Sequence, residues 1–181
     1  DRTESRGNTF FGDGIVAHIS FAEPFCPLLR QILYEAAKEM GARVHPKGVY
    51  MVMEGPAFST RAESHLHRSW GVDVIGMTAL PEAKLAREAE ICYAIVACAT
   101  DYDVWHETEE TVSVEVVLKI LQQNIDISKK IIKLAVSKIA PTRICSCADA
   151  LKGAIVTAPE VMTLEQRERL KLLIGKYINK D

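Results

Sequence analysis

Two carboxylates, Asp101 and Asp103, directly follow an apolar run and are the first candidates for chemistry in this sequence. The run, Ile91 to Ala99, carries no charge and is rich in Ile, Val and Ala, which predicts a strand buried on both faces. Ligands bind beyond the carboxyl ends of central strands in open α/β sheets, so hydrogen-bond or proton chemistry is expected here. The alternative is that Asp101 caps a turn and that Asp103 is solvated.

Two further predicted strands, at residues 48–53 and 73–78, also end in polar or reactive side chains. These tips carry an aromatic ring, hydroxyls and a thioether, namely Phe58, Ser59, Thr60, Met77 and Thr78. An aromatic ring stacks on a flat base, a Met packs against a sugar face, and acids bind polar ring edges. Together the three strand ends outline a purine nucleoside site.

Amphipathic helices are predicted between and after these strands, because apolar residues recur at the helical period. The predicted helices cover residues 24–41, 61–70, 81–89, 113–140, 148–155 and 164–177. Strands that alternate with helices predict an α/β fold with a central, mostly parallel twisted sheet flanked by helices.

Composition excludes some classes of function. The chain has 181 residues and a net charge of -2, so electrostatics does not favour a nucleic acid or an anionic membrane as partner. No signal peptide or transmembrane run is predicted, and the odd number of cysteines favours a reducing compartment, so the cytoplasm is expected. Cys145 and Cys147 are expected to be free thiols, a short-range disulfide being the alternative.

Histidines do not indicate a metal site. His65 and His67 are two residues apart on a predicted helix, so their side chains diverge. His18 lies in the short apolar run at residues 15–20, where a packing histidine is one interpretation.

Three segments, in this order, resemble the 5′-methylthioadenosine phosphorylases, a family of the trimeric purine nucleoside phosphorylase group. They are EGPAFSTRAES at residues 54–64, GMTALPE at 76–82 and ATDYDVW at 99–105. The likeness runs from residue 1 to about 155. It implies that residues 1–156 form the C-terminal two-thirds of a single phosphorylase domain, incomplete in this chain, and that 157–181 form a helical extension.

The resemblance implies a reaction in which phosphate attacks C1′ of methylthioadenosine and adenine leaves, as in purine salvage. Phosphate is then a co-substrate, and neither a cofactor nor a metal is expected. Asp101 is implied to face adenine N7 and the 6-amine. Burial beside the second acid, Asp103, is expected to raise the pKa of Asp101 so that it can donate a proton or hydrogen bond.

Further substrate contacts are also implied by the resemblance. These are Phe58 stacking on adenine, Ser59 supporting the acids, Met77 packing on ribose, Thr78 binding phosphate, Thr100 at the substrate, Val114 and Val117 around the methylthio group, and His18 lent to a neighbouring subunit. The last of these implies a homotrimer.

The sequence departs from the family pattern in two ways. Ala57 stands where Arg is common, and the chain begins partway through the pattern, without the family's Gly-rich turn, Arg-His pair and further Thr that bind phosphate. Three hypotheses stay open: a phosphorylase that needs a companion chain, a purine-binding or oligomerising fragment, and a hydrolase-like enzyme in which water replaces phosphate.

Overall fold

The computed structural model describes residues 6–106 and 114–178. The elements in these ranges are α1 (Pro27–Glu39), β1 (Tyr50–Val52), α2 (Arg61–Ser69), β2 (Val74–Gly76), α3 (Ala79–Glu88), α4 (Val114–Lys138) and α5 (Leu164–Ile178), with short 3-10 turns at Ser146–Asp149 and Pro159–Val161. Strands and helices alternate in the first half of the chain, which confirms the predicted α/β class.

The strands β1 and β2 pair in parallel, with Tyr50 opposite Val74 and Val52 opposite Gly76, and α2 connects them. A parallel pair needs such a crossover, because its strands run in the same direction. Thr60 is the N-cap of α2. Its side chain accepts from the Glu63 N–H, while the Glu63 carboxylate accepts from the Thr60 N–H. This reciprocal cap sets where the chain turns from the tip of β1 into the helix.

The run Ile91–Ala99 is not a strand in this structure, so the prediction of a central strand buried on both faces is wrong here. Its residues are half-buried or exposed. It is held at Tyr93, whose carbonyl accepts from the Cys26 N–H at 2.8 Å and whose hydroxyl donates to Glu82 at 2.6 Å. An apolar run becomes a central strand only when other strands bond to both of its edges, and the described residues place none there.

The helices α1 and α4 form one small core. Ala36 and Ala37 of α1 are buried against Ile131 and Ala135 of α4. Small side chains on both helices let the backbones approach closely. Several other apolar residues of α4 are exposed, at Leu118, Leu121, Ile125, Ile132 and Val136, and so is Ile139 just after the helix.

A second core joins the two ends of the described chain. Leu170 and Ile174 of α5 are buried together with Phe11, Ile15, Leu151 and Met162. Ala17 and Ile155 form an antiparallel bridge beside this cluster. The C-terminal helix therefore shares its core with residues near the start of the chain.

Residues 148–155, predicted to be helical, instead form the end of the 3-10 turn Ser146–Asp149 and further turns. Gly153 has a φ of +74°, a left-handed conformation that ends a helix rather than continuing it. The prediction is therefore wrong in this segment. Among the helices of the described part, none is both long and apolar enough to cross a membrane.

Candidate active site

The tips of β1 and β2 meet, as the sequence predicts. A Cβ added at Gly55 would lie 2.7 Å from the Met77 Sδ, and Gly55 has a φ of +71°. Arg6 joins the two tips, because its guanidinium donates to the carbonyl of Glu54 at 2.7 Å and also to the carbonyl of Met77. Glycine at 55 therefore leaves room for the predicted ribose-packing thioether.

Arg6 is a part of this edge that the sequence does not reveal. It lies in a polar stretch before any predicted element, and its partners follow it by 48 and 71 residues. No local spacing encodes such a contact, so only the tertiary structure shows it.

Phe58 and Ser59, just after the tip of β1, have opposite surroundings. The Phe58 side chain is 83% exposed, so its ring is open to stack on a planar ligand. Ser59 is buried, and its hydroxyl lies 3.7 Å from the Met53 Sδ, which is a contact different from the predicted support of the acids. Thr78 is exposed and directly precedes α3.

Asp101 is exposed, so the predicted burial of this carboxylate is wrong for this structure. The Thr100 hydroxyl donates to its Oδ2 at 2.7 Å. Because the preceding run is not covered by neighbouring strands, its end stays open to water. The desolvation on which a buried carboxyl pair depends is therefore missing from the described arrangement.

Asp103 has a different environment from Asp101. It is half-buried, and its Oδ1 accepts from the Val104 N–H at 2.9 Å. It lines a cavity of about 50 Å³ together with residues of α2 and β2, including Ser64, His67 and Val74. The structure thus brings Asp103, rather than Asp101, against the α2–β2 unit.

An aromatic cluster holds the segment that contains the two acids. The Tyr102 ring stacks on His106 with centroids 4.7 Å apart and meets Trp105 edge-on at 5.7 Å. The Arg68 guanidinium of α2 lies 3.5 Å from the centre of the Trp105 ring. This cation–π contact attaches the segment to α2.

Two phenols lie beneath the strand tips. The Tyr93 hydroxyl donates to the Glu82 carboxylate at 2.6 Å. Burial raises the pKa of both Tyr50 and Tyr93, and Glu82 adds to the rise, through its charge at Tyr50 and through its hydrogen bond and charge at Tyr93. Both side chains therefore stay neutral through the physiological range, and Tyr93 keeps the proton that it donates to Glu82.

The remaining predicted residues lie apart from the strand tips. His18 is exposed and lines a surface cavity of about 470 Å³ whose described lining includes no other predicted site residue. Val114 and Val117 belong to the first turn of α4, and their side chains lie outside the described part of the structure. The roles assigned to these three residues stay predictions.

Comparison with known sequences identifies relatives. The sequence profile of the phosphorylase superfamily matches residues 2–137. The chain is 58% identical over 179 residues to the S-methyl-5'-thioadenosine phosphorylase of Geobacter sulfurreducens, a match that covers 98% of this chain and 63% of that protein. The protein of the same name from Koribacter versatilis is 48% identical, with 98% and 61% covered. The chain thus spans about three-fifths of the length of these curated relatives.

Solved structures with a similar fold carry the same family name. A methylthioadenosine phosphorylase from an antarctic soil metagenomic library superimposes with a TM-score of 0.88 and 46% identity, covering 94% of this chain and 61% of that one. A double mutant of the adenosine/methylthioadenosine phosphorylase of Schistosoma mansoni, in complex with adenine, gives a TM-score of 0.75 and 35% identity, with 84% and 62% covered.

Proposed function

Because this chain belongs to the phosphorylase superfamily, we propose that it provides the base-binding part of an enzyme that cleaves 5′-methylthioadenosine with phosphate. The products are adenine and 5-methylthioribose 1-phosphate, as in purine salvage. The observation that carries this proposal is the 58% identity, over 98% of the chain, to an S-methyl-5'-thioadenosine phosphorylase. Phosphate is the co-substrate, and the proposed reaction uses no cofactor or metal.

In the proposed reaction a phosphate oxygen bonds to the ribose C1′ as the bond from C1′ to adenine N9 breaks. The electron pair of that bond goes to the purine, so hydrogen bonds to the base stabilise the leaving group. Asp101 is assigned to N7 and the 6-amine, and the exposed Phe58 ring is assigned to stack on adenine. The Met77 thioether, next to Gly55, is assigned to the ribose face.

We further propose a homotrimer with sites between subunits, in which each subunit lends His18 to its neighbour. The exposed position of His18 on a surface cavity supports this assignment. The proposed location is the cytoplasm, because none of the five cysteines forms a disulfide, as is usual in a reducing compartment.

The test is the release of adenine from methylthioadenosine with and without phosphate, with the sugar product identified by NMR. We expect release only with phosphate, and a phosphorylated sugar. Release at the same rate without phosphate, with free methylthioribose as product, would support the hydrolase-like alternative instead.

The second candidate function is a nucleoside-binding component that needs another polypeptide for catalysis. Two observations favour it: Phe58 is 83% exposed and Asp101 is exposed, so the described base site lacks a covered pocket. Each missing charge-stabilising contact costs about 10²–10³ in rate. The rate of adenine release from methylthioadenosine should therefore rise by at least that factor when a second polypeptide is added. This polypeptide carries the part of the Geobacter sulfurreducens relative that the present chain does not match. An unchanged rate would argue against this candidate.

A further inference from the structure

Four cysteine sulfurs converge at one point of the fold. The Sγ atoms of Cys26, Cys92, Cys145 and Cys147 all lie within 4.8 Å of one another. The Sγ atoms of Cys92 and Cys145 lie 3.3 Å apart. Cys26 and Cys147 are buried, and the other two are half-buried.

The cluster joins three distant segments. Cys26 is the N-cap residue of α1, Cys92 belongs to the run Ile91–Ala99, and Cys145 and Cys147 flank the start of the 3-10 turn Ser146–Asp149. The Cys26 N–H donates to the Tyr93 carbonyl at 2.8 Å, and the Arg143 guanidinium donates to the Glu90 carbonyl at 2.7 Å. These hydrogen bonds hold the segments that carry the sulfurs.

The spacing of the sulfurs matches tetrahedral thiolate coordination. A zinc–sulfur bond of about 2.3 Å places the sulfurs of a tetrahedron about 3.8 Å apart. The 3.3 Å between Cys92 and Cys145 and the upper limit of 4.8 Å for all pairs bracket this value. Shifts of under about 1 Å would bring four sulfurs to bonding distance from one central ion.

We propose that Cys26, Cys92, Cys145 and Cys147 bind one zinc ion in a closed structural site. Four protein ligands fill the coordination shell and leave no position for substrate or water, so the ion has a structural role rather than a catalytic one. The first turn of α1, with its exposed N–H dipoles, offsets part of the thiolate charge at Cys26. The ion links the start of α1 and the 3-10 turn Ser146–Asp149 to the run Ile91–Ala99, which pairs with no strand among the described residues.

Zinc explains the cluster better than a disulfide does. Two disulfides would divide the four sulfurs into two separate pairs, whereas here each sulfur lies within 4.8 Å of every other. The sequence alone does not indicate this site, because Cys26 and Cys147 are far apart in the chain. Only Cys145 and Cys147 show a short spacing.

The experiment measures metal content in the full chain, purified under reducing conditions and then exposed to zinc or cobalt. We expect about one zinc per chain after gel filtration. We also expect the charge-transfer and visible bands of tetrahedral cobalt thiolate when cobalt replaces zinc. Cys145→Ser and Cys147→Ser should lose the bound ion. The matched control is Cys98→Ser, because Cys98 is an exposed thiol that lies 3.1 Å from the Ser128 hydroxyl, and this variant should keep the ion.

Folding is checked by circular dichroism, and the cobalt spectrum of the unmutated chain tests the site independently of the variants. The proposal is overturned if the reduced unmutated chain takes up no zinc, or if its cobalt form lacks thiolate bands. It is equally overturned if Cys145→Ser and Cys147→Ser retain the ion. Intact mass shows whether a disulfide forms, because each one removes two hydrogens. A disulfide between cluster cysteines that resists reduction and blocks zinc uptake would also refute the proposal.

Discussion

Asp101 is the residue on which base choice is expected to depend. Adenine presents an amine at C6, to which a carboxylate is an acceptor, whereas hypoxanthine presents a carbonyl there, which a carboxylate repels. An Asn side chain can instead donate to N7 and to the carbonyl. The open position of Asp101 beside Thr100 leaves it accessible to a base.

We therefore predict that Asp101→Asn shifts the preference from methylthioadenosine toward methylthioinosine. The ratio of the two kcat/KM values should change by about ten-fold to a hundred-fold. Asp103→Asn is the comparison, and its effect should be smaller, because Asp103 faces the α2–β2 unit. An unchanged ratio in Asp101→Asn would show that this carboxylate does not bind the 6-position.

Glu90 is a buried carboxylate that joins the middle of the chain to its C-terminal part. It accepts from the Leu151 N–H at 3.0 Å and from the Tyr177 hydroxyl, and it pairs with the Lys176 ammonium. Burial raises its pKa, but Lys176, Tyr177 and the Leu151 N–H together outweigh burial, so the pKa of Glu90 lies below its usual value. It also adopts a φ of +56°, a strained conformation that these contacts offset.

We predict that Glu90→Gln lowers the free energy of unfolding at pH 7 by about 1–3 kcal/mol, because it removes charge-assisted hydrogen bonds. A folded pKa below the unfolded value of about 4.3 means that this stabilisation is complete above that pH and is lost as the pH falls through the folded pKa. The difference in the free energy of unfolding between the unmutated chain and Glu90→Gln should therefore disappear at low pH. Urea unfolding at several pH values measures it.

Glu168→Gln is the matched control for this prediction. The Glu168 side chain is 73% exposed, and its Oε2 lies 3.4 Å from the Nζ of Lys171, one turn along the same helix. Screening by solvent makes such a pair weak, so the control should change stability little at any pH. Equal losses in the two variants would contradict the role given to Glu90.

At the scale of single elements, the packing of β2 depends on a glycine. A Cβ added at Gly76 would lie 1.9 Å from the Tyr50 hydroxyl oxygen and 2.8 Å from its Cζ. Gly76→Ala should therefore lower the free energy of unfolding by about 1–3 kcal/mol through overpacking. Adding Tyr50→Phe removes the closest clash and should recover part of the loss in a urea titration. If the double variant is no more stable than Gly76→Ala, the clash is not the cause.

Gly175, in the interior of α5, gives the opposite expectation. A Cβ there would meet only the Lys171 Cγ, at an ordinary 3.8 Å. Glycine inside a helix costs conformational entropy, so Gly175→Ala should raise the free energy of unfolding by about 0.5–1 kcal/mol. Thermal unfolding measures this, and a lower Tm would mean that α5 does not persist as a helix in solution.

At the scale of the whole molecule, shared sites make a prediction about mixtures of variants. In the proposed trimer, one site takes His18 from one subunit and Asp101 from its neighbour. His18→Ala and Asp101→Asn should each be impaired alone. When they are mixed, dissociated and reassembled, about a quarter of the sites should carry neither substitution and recover activity.

This complementation is measured as methylthioadenosine turnover, under the conditions in which the protein is active, with sedimentation to establish the trimer. Mixing without dissociation is the control and should recover nothing. A stable and fully active monomer would place both residues in the site of one subunit. No recovery in a reassembled trimer would mean the same, or that His18 does not belong to the site.

Much of the local structure follows from the sequence alone. The apolar period predicts α1, α4 and α5, and the turn signals and caps predict where β1 ends and α2 begins. These features depend on residues within a few positions of one another, so short segments of the sequence are enough to predict them. The meeting of the β1 and β2 tips was predictable for a related reason, because neighbouring parallel strands end at the same edge.

Other features were decided only by the tertiary structure. The run Ile91–Ala99 has the composition of a buried strand, yet its state depends on partners that composition cannot reveal, and the exposure of Asp101 follows from that. Arg6 across the strand tips, the Glu90 carboxylate against the C-terminal part and the converging cysteines all join segments about 50 or more positions apart. Such contacts arise when the chain packs, because burial and hydrogen bonding then act between segments that no local spacing connects.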